Sequence, residues 1–322
     1  MDKIYIVGGG ASGMMAAIQA KTKDNEVILL EKNDRVGKKI LATGNGKCNL
    51  GNENLSVDCY YSKNSSFVEQ VLNRYDTESA VSFFASIGLK VRSKNGYLYP
   101  YAEQASVVLD VLRMELERRS IQVKPGVQIT DCTSLINKRG YLLKTPDGRS
   151  YEADRVILAC GGPASLKEGG KDGYNILQKL GLKTYPLVPG LVQLRTDGKE
   201  QKALSGVRCK ASLRLFADGI QQGSEQGELQ LTDYGISGIP VFQLSRVAAY
   251  ALRNRKSVMV QIDFTPEYSY DEIVTYLLEQ QNLRKDQTVD ELLTGFLNKK
   301  INLVFLKKCQ IAGNRTIESL QK

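Results

Sequence analysis

The pattern of apolar and polar positions predicts a strand, a helix and a second strand at the start of the chain. Residues 3–7 alternate and are rich in Ile, Val and Tyr, which is typical of a short buried strand. Helix-forming residues, mostly Ala and Met, fill positions 14–20, and residues 26–30 form an apolar run that predicts the second strand. This order is that of the βαβ unit of α/β proteins.

Three glycines join the first strand to the helix in the pattern G-x-G-x-x-G, at Gly8, Gly10 and Gly13. Gly8 permits a tight turn, Gly10 lets the backbone approach a pyrophosphate, and Gly13 lets the helix lie close to its strand. Glu31 ends the second strand, where a carboxylate can accept hydrogen bonds from ribose hydroxyls. Together these features predict a dinucleotide-binding site.

Beyond Glu31 the pattern predicts a long polar loop at 32–52 and helices at 65–89 and 104–119. A small antiparallel meander is then predicted from strand segments at 121–123, 127–132, 140–145 and 150–152. A buried strand follows at 154–162 and ends in two glycines. A meander that leads into such a strand is typical of FAD domains of the glutathione-reductase type, so FAD is favoured over NAD as the resident dinucleotide.

The composition changes after Pro189, where short strand candidates are separated by Gly and Asp turns and are followed by a helical tail. The predicted strands are at 191–194, 207–216, 228–231 and 257–262, and the predicted helices are at 270–281, 289–299 and 302–309. We therefore predict two domains. Residues 1–188 form a Rossmann-like FAD-binding domain, and residues 189–322 form an inserted β-rich and helical domain that caps the site.

The composition is that of an ordinary globular enzyme, with 42% hydrophobic and 25% charged residues. No apolar run reaches the roughly 18 residues of a membrane span, and the charged N-terminus is unlike a signal peptide, so we expect a cytoplasmic protein without a membrane partner. The net charge of +9 is spread along the chain, so nucleic acid is not an expected partner. The oligomeric state is not indicated.

The absence of histidine excludes Ser-His-Asp and Cys-His nucleophilic sites. The six cysteines form no C-x-x-C pair, so we expect reduced thiols and no metal site. Proton transfer would use carboxylates, Lys, Tyr, Cys, water or a cofactor nitrogen, and no catalytic residue is assigned. A cofactor is therefore expected to supply the chemistry.

Several further motifs point to one family. They are Gly8 to Gly13, Glu31-Lys32, Gly37-Lys38-Lys39, Thr43-Gly44-Asn45-Gly46-Lys47-Cys48-Asn49, Ala159-Cys160-Gly161-Gly162, Lys171-Asp172-Gly173-Tyr174, Gly181-Leu182, Pro186 to Pro189 and Leu231 to Gly238. With them the chain resembles a bacterial family of NAD(P)/FAD-dependent oxidoreductases that includes aminoacetone oxidase and proposed bile-acid dehydro-reductases. Many members carry histidine where this chain has Leu182 and Asp233, so no histidine role is carried over.

The resemblance implies positions for the parts of FAD. Glu31 would bind the adenosine ribose, Lys38 and Lys39 would lie near the diphosphate, Val127 would meet adenine through its backbone, and residues 43–49 would approach the flavin. The implied cofactor-binding residues are Gly8, Gly10, Ala11, Ser12, Gly13, Glu31, Lys32, Lys38, Lys39, Thr43, Asn45, Gly46, Cys48, Asn49, Val127, Ala159, Gly161 and Gly162.

The function implied is transfer of a hydride between flavin N5 and a small organic substrate or NAD(P)H. NAD(P)H would dock transiently, because the chain has one G-x-G-x-x-G. Two alternatives stay open: a flavoprotein amine oxidase that uses oxygen, and a non-catalytic or RNA-associated flavoprotein, which the net charge alone supports. The sequence does not reveal the substrate.

The end of the chain gives a last expectation. FAD domains of the glutathione-reductase type regain a final strand and a glycine-rich turn after the inserted domain, and the resembling family carries such a segment. Here residues 315–322 follow the helical tail directly. We therefore expect weak, exchangeable FAD and little turnover unless another chain supplies that strand.

Overall fold

The computed structural model of the chain describes residues 1–135, 139–164 and 172–319. The chain divides into two compact units, Met1–Tyr185 and Pro186–Lys322, and the division lies three residues before the boundary predicted at 188. No helix among the described residues is long and apolar enough to cross a membrane.

The described residues of the first unit form ten strands and six α-helices. The strands are β1 (Asp2–Val7), β2 (Asn25–Glu31), β3 (Gly51–Asn52), β4 (Val91–Lys94), β5 (Tyr97–Pro100), β6 (Gln122–Pro125), β7 (Asp131–Ser134), β8 (Tyr141–Lys144), β9 (Ser150–Ala153) and β10 (Arg155–Leu158). The helices are α1 (Ala11–Ala20), α2 (Lys38–Leu41), α3 (Ser65–Arg74), α4 (Thr77–Ser86), α5 (Ala105–Arg118) and α6 (Asp172–Lys179).

The core of this unit is a parallel sheet with the strand order β10-β1-β2-β6. Ile6 of β1 stands beside Leu29 of β2 and Ile157 of β10, and helices α1 and α5 cover the sheet with Met14 and Leu112. Ile6, Leu29 and Met14 are fully buried. The apolar runs read from the sequence therefore form the two central strands, as the expected Rossmann-type α/β fold requires.

Two of the predicted strands occupy unexpected places in this sheet. The segment predicted at 121–123 as part of the meander is β6, which pairs in parallel with β2 through Val123 and Leu29. The strand predicted as buried at 154–162 is β10, which pairs with β1 alone among the described residues and leaves Ile157 exposed. An apolar run does not show which strands will lie beside it. Because β10 lies at an edge of the sheet, its side chains are less buried than the apolar run predicts.

The rest of the meander is confirmed, because β7, β8 and β9 form an antiparallel sheet in that order. The helix predicted at 65–89 is two helices, α3 and α4, whose first turns are capped by the side chains of Asn64 and Asp76. Asp76 interrupts the helical pattern because its carboxylate accepts a hydrogen bond from the N–H of Ser79, at 2.8 Å. The polar loop predicted at 32–52 contains α2 and a 3₁₀ turn at Thr43–Gly46.

In the second unit, the residues that the structure describes form an antiparallel sheet with the order β11-β14-β13-β12-β15. Its strands are β11 (Leu194–Arg195), β12 (Arg208–Ala217), β13 (Ile220–Thr232), β14 (Gly235–Ser237) and β15 (Val258–Asp263). Its helices are α7 (Gln201–Leu204), α8 (Ile239–Arg253), α9 (Tyr270–Leu283), α10 (Val289–Thr294) and α11 (Lys299–Lys308), and a 3₁₀ turn is formed by Ile317–Ser319.

Helix α8 was missed by the sequence analysis, although its pattern is present in the chain. Pro240 stands in its first turn, where proline is tolerated, and Val241, Leu244 and Ala248 recur at helical spacing. These three side chains are buried against the sheet beside Leu229. The second unit therefore combines one face of an antiparallel sheet with a packed helix.

Candidate dinucleotide-binding site

A cavity of about 500 Å³ lies at the carboxyl ends of β1, β2 and β10. Five segments of the described chain form its walls: the glycine loop, the end of β2 with the following residues to Asn49, residues 127–129, the residues after β10, and the start of α6. Loops that follow parallel strands meet at one edge of the sheet, which is where α/β proteins bind nucleotides.

Fourteen of the eighteen residues predicted to bind the cofactor line this cavity. They are Gly8, Gly10, Ala11, Ser12, Glu31, Lys32, Lys38, Lys39, Thr43, Cys48, Asn49, Val127, Ala159 and Gly161. Gly13 lies beneath the glycine loop, and Gly162 accepts a hydrogen bond from Lys39 Nζ at 2.9 Å. Asn45 and Gly46 are exposed in the 3₁₀ turn and do not line the cavity.

The three motif glycines are required for different reasons. A Cβ on Gly8, which has φ +111°, would lie 2.4 Å from the carbonyl oxygen of Ala159, and a Cβ on Gly13 would lie 1.7 Å from that of Gly8. Gly10 has an ordinary φ of −77°, and a Cβ there would meet no protein atom within 4 Å. Neither strain nor packing therefore explains Gly10, and its backbone borders open cavity space that a ligand would fill.

Helix α1 directs its first turn towards the same space. Gly10 is its N-cap and provides no side chain to cap the helix, while Ala11 and Ser12 line the cavity. The first N–H groups of a helix lack partners within the helix and carry a partial positive charge. This end of α1 is therefore suited to bind a phosphate group.

Glu31 joins the loops that follow β1 and β2. Its buried carboxylate accepts a hydrogen bond from the Gly9 N–H at 2.6 Å through Oε2 and from the Asn33 N–H at 2.8 Å through Oε1. Oε1 also accepts a hydrogen bond from Asn33 Nδ2 at 2.5 Å. Each carboxylate oxygen can accept two hydrogen bonds, so Glu31 keeps capacity on Oε2 for a ribose hydroxyl. Glu31 therefore both holds these two loops together and faces the cavity.

Three lysines supply positive charge to the cavity wall. Lys38 forms an ion pair with Asp34 and lowers the pKa of that carboxyl, and Lys32 Nζ lies 3.7 Å from the Asp172 carboxylate. Lys39 forms no ion pair within the described part of the chain, because its contact there is with the carbonyl oxygen of Gly162. Lys39 is therefore the cation most available to a diphosphate.

Cys160 after β10 and the residues Asp172 and Gly173 at the start of α6 complete the wall, and these three were not predicted to bind the cofactor. Burial raises the pKa of the Cys160 thiol, and the Asp172 carboxylate adds to this effect, so the thiol stays neutral. Asp172 also accepts a hydrogen bond from Gln128 Nε2 at 3.0 Å. The motif at 171–174 was the available signal for Asp172 and Gly173, whereas Lys171 lies outside the described residues.

Comparison with known proteins agrees with this architecture. Residues 2–255 match the HI0933-like protein Rossmann domain family. A 3-dehydro-bile acid delta(4,6)-reductase of Clostridium scindens is 40% identical over 317 residues, which are 98% of this chain and 77% of that protein. A ribosomal RNA dihydrouridine synthase of Haemophilus influenzae is 26% identical over 323 residues, with the same coverage of 98% and 77%.

Among solved structures, the open conformation of a flavocytochrome c3 fumarate reductase aligns with a TM-score of 0.45 and 17% identity, over 65% of this chain and 46% of that one. The family match covers most of the chain, and the Clostridium relative covers nearly all of it. The chain therefore belongs to the HI0933-like family, and its predicted place in a family of FAD-dependent oxidoreductases is confirmed.

Proposed function

We propose that FAD binds in the cavity at the carboxyl ends of β1 and β2 and that the protein is a reductase that uses it. The observation that supports the proposal is the open space around Gly10. Its Cβ position is free of protein atoms and borders a cavity beside the uncapped end of a helix. A pyrophosphate needs this combination of open space and free N–H groups.

The cavity residues are proposed to hold FAD in one orientation. The pyrophosphate lies against Gly10 and the first turn of α1, with Lys39 beside it, and the ribose hydroxyls donate to Glu31. The N–H of Val127 already donates to the carbonyl oxygen of Glu31 at 2.9 Å, so an adenine contact through this backbone uses the Val127 carbonyl. Thr43, Cys48 and Asn49, which also line the cavity, would face the flavin.

When bound, FAD would supply a site, N5, that can accept or donate a hydride. The chain's own residues bind and orient the cofactor and shape the cavity around it. Because the chain has no histidine, a proton for the substrate would come from a thiol, an ammonium group, a phenol, a carboxyl group or water.

The direction of the reaction is proposed from the relatives. A delta(4,6)-reductase and a dihydrouridine synthase are both named for adding hydrogen across carbon–carbon double bonds. We propose the same reaction class here, with NADH or NADPH as the transient electron donor. The relative with 40% identity favours a small organic substrate, and the net charge of +9 leaves RNA as the second candidate.

The test is an anaerobic assay of the flavin-loaded full chain. NADH or NADPH should bleach the yellow flavin absorbance, and one of two probes, a 3-keto-4,6-diene steroid or a uridine-containing ribosomal RNA fragment, should restore it with formation of a reduced product. Gly10→Val provides the flavin-free control. Recovery with oxygen alone and release of an aldehyde from amines would instead identify an amine oxidase. Absence of any binding when the flavin-free chain is titrated with FAD would refute the proposal itself.

A further inference from the structure

A second cavity lies within the second unit, remote in sequence from the glycine loop. It has a volume of about 570 Å³ and is bounded by β15, α9, α10, α11 and the 3₁₀ turn Ile317–Ser319. We call it the helical cavity. Its volume falls in the range of sites that bind small molecules.

The walls of the helical cavity are mostly apolar and incompletely covered. Helix α9 places Ile273, Leu277 and Leu278 on it, yet no residue of that helix is fully buried. Leu278 is 45% exposed and Phe305 of α11 is 41% exposed. Apolar side chains from separate elements thus surround a shared space without filling it, and their burial by a ligand would be favourable.

One polar side chain in this apolar wall lacks part of its hydrogen bonding. Asn302 of α11 is 5% exposed, and its Nδ2 donates to the carbonyl oxygens of Leu293 at 2.6 Å and Leu297 at 3.1 Å. Its Oδ1 is buried and receives no hydrogen bond from the described residues. A buried acceptor without a donor is costly and is uncommon in native proteins.

We propose that the helical cavity binds a compact apolar molecule that carries a hydroxyl group. The hydroxyl donates to Asn302 Oδ1, and the hydrocarbon body packs on Leu277, Phe296 and Phe305. Because Oδ1 is covered in the present conformation, a lining side chain changes rotamer to admit the hydroxyl. Leu293 and Leu297, whose carbonyl oxygens accept from Asn302, are only half-buried, and their side chains are the ones expected to change rotamer. The site is independent of the proposed FAD function.

Cys309 allows occupancy to be measured without any enzyme assay. Its exposed thiol lies on the wall of the helical cavity, whereas the exposed thiol of Cys59 belongs to the first unit. We would treat the full chain with iodoacetamide and follow the alkylation of both cysteines by peptide mass spectrometry. The probe is 1-adamantanol, and 1-methyladamantane is the analogue of similar shape without a hydroxyl.

We expect 1-adamantanol to slow alkylation of Cys309 at least threefold and to leave Cys59 unchanged. 1-Methyladamantane should need an about tenfold higher concentration to give the same protection, because it cannot donate a hydrogen bond to Asn302 Oδ1. Equal potency of the two probes would refute the role of Asn302. Absence of protection up to the solubility limit, or equal protection of Cys59, would overturn the binding site.

Two variants on one helix complete the test. Leu278→Trp enlarges a half-exposed lining side chain and should abolish protection, whereas Leu283→Trp changes an exposed residue of α9 outside the cavity and should not. Protection of Cys309 that rises with protein concentration in the absence of probe, together with a dimer in sedimentation, would identify a second copy as the occupant and refute the small-molecule proposal.

Discussion

Gly10 and Gly13 stand three residues apart in one motif, yet the structure gives them opposite roles. A Cβ at Gly13 would collide with the backbone of Gly8, whereas a Cβ at Gly10 would meet no protein atom. Gly13 is therefore needed by the fold, whereas Gly10 is needed by the ligand under the proposed function. Substitution separates these two roles.

We predict that Gly10→Val abolishes FAD binding and leaves the flavin-free protein almost as stable as the wild type. The β-branched side chain would occupy the space proposed for the pyrophosphate. Titration of the flavin-free proteins with FAD and their thermal unfolding measure the two effects. Gly13→Ala is the contrasting control and should lower stability by about 3 kcal/mol or more, since the backbone must move. Wild-type flavin content in Gly10→Val would exclude this site.

Replacing Glu31 with Gln should weaken the binding of FAD by about 1–3 kcal/mol, because a charge-assisted hydrogen bond with the ribose becomes a neutral one. FMN, which lacks adenosine, should respond much less. Titration of the flavin-free variant with both cofactors makes the comparison. Glu31 also accepts hydrogen bonds from the Gly9 N–H, the Asn33 N–H and Asn33 Nδ2. Asn33→Ala, which removes the Nδ2 bond, serves as the control for the loop. Equal losses for FAD and FMN would mean that Glu31 acts through the loop alone.

At the scale of elements, a cluster of charged side chains at the C-terminal end of α5 forms a hydrogen bond to α1. The buried carboxylate of Glu115 binds Arg118 at 2.6 Å and Arg119 at 2.5 Å, and Arg119 Nη1 donates to the carbonyl oxygen of Ile18 at 3.0 Å. Hydrogen bonds from Arg118 lower the pKa of Glu115 to about 2, from an ordinary value of 4.5. The folded state therefore favours the ionised form of this carboxyl group.

This linkage predicts the pH dependence of stability. Because the folded pKa lies below the unfolded one, the contribution of Glu115 is complete above about pH 4.5 and is lost as the pH falls towards 2. Glu115→Gln should lower the free energy of unfolding by about 1–3 kcal/mol at pH 7. In urea titrations, the difference in the free energy of unfolding between Glu115→Gln and the wild type should shrink as the pH falls from about 4.5 towards 2. Glu117→Gln, an exposed neighbour on α5, is the control, and a pH-independent difference would contradict the assignment.

At the scale of the whole molecule, every residue that lines the proposed FAD cavity belongs to the unit Met1–Tyr185. Bound FAD should therefore stabilise that unit directly, by about 2.7 kcal/mol at a free concentration one hundred times Kd. We predict that amide hydrogen exchange slows on FAD binding in β1, α1 and β2 and changes little in β12 and β13. Equal protection of both units would show that the second unit also responds to FAD.

The sequence by itself determined the local elements and the class of ligand. The first strand, the glycine turn and Glu31 lie close together in the chain, so their spacing alone predicts a Rossmann unit. The antiparallel meander was predictable for the same reason, because its strands are consecutive. Family motifs then favoured FAD. The period of the apolar positions indicates the type of element and the face that it buries, and this was sufficient to predict these features.

Only the tertiary structure decided which distant segments meet. It placed β6 beside β2, brought Val127, Ala159 and Asp172 to one cavity, and left Asn45 and Gly46 outside it. Likewise, it surrounded Asn302 with apolar side chains and left its Oδ1 without a donor. Strand pairing and cavity shape depend on contacts between residues far apart in the chain, and the period of a single segment carries no information about its partner.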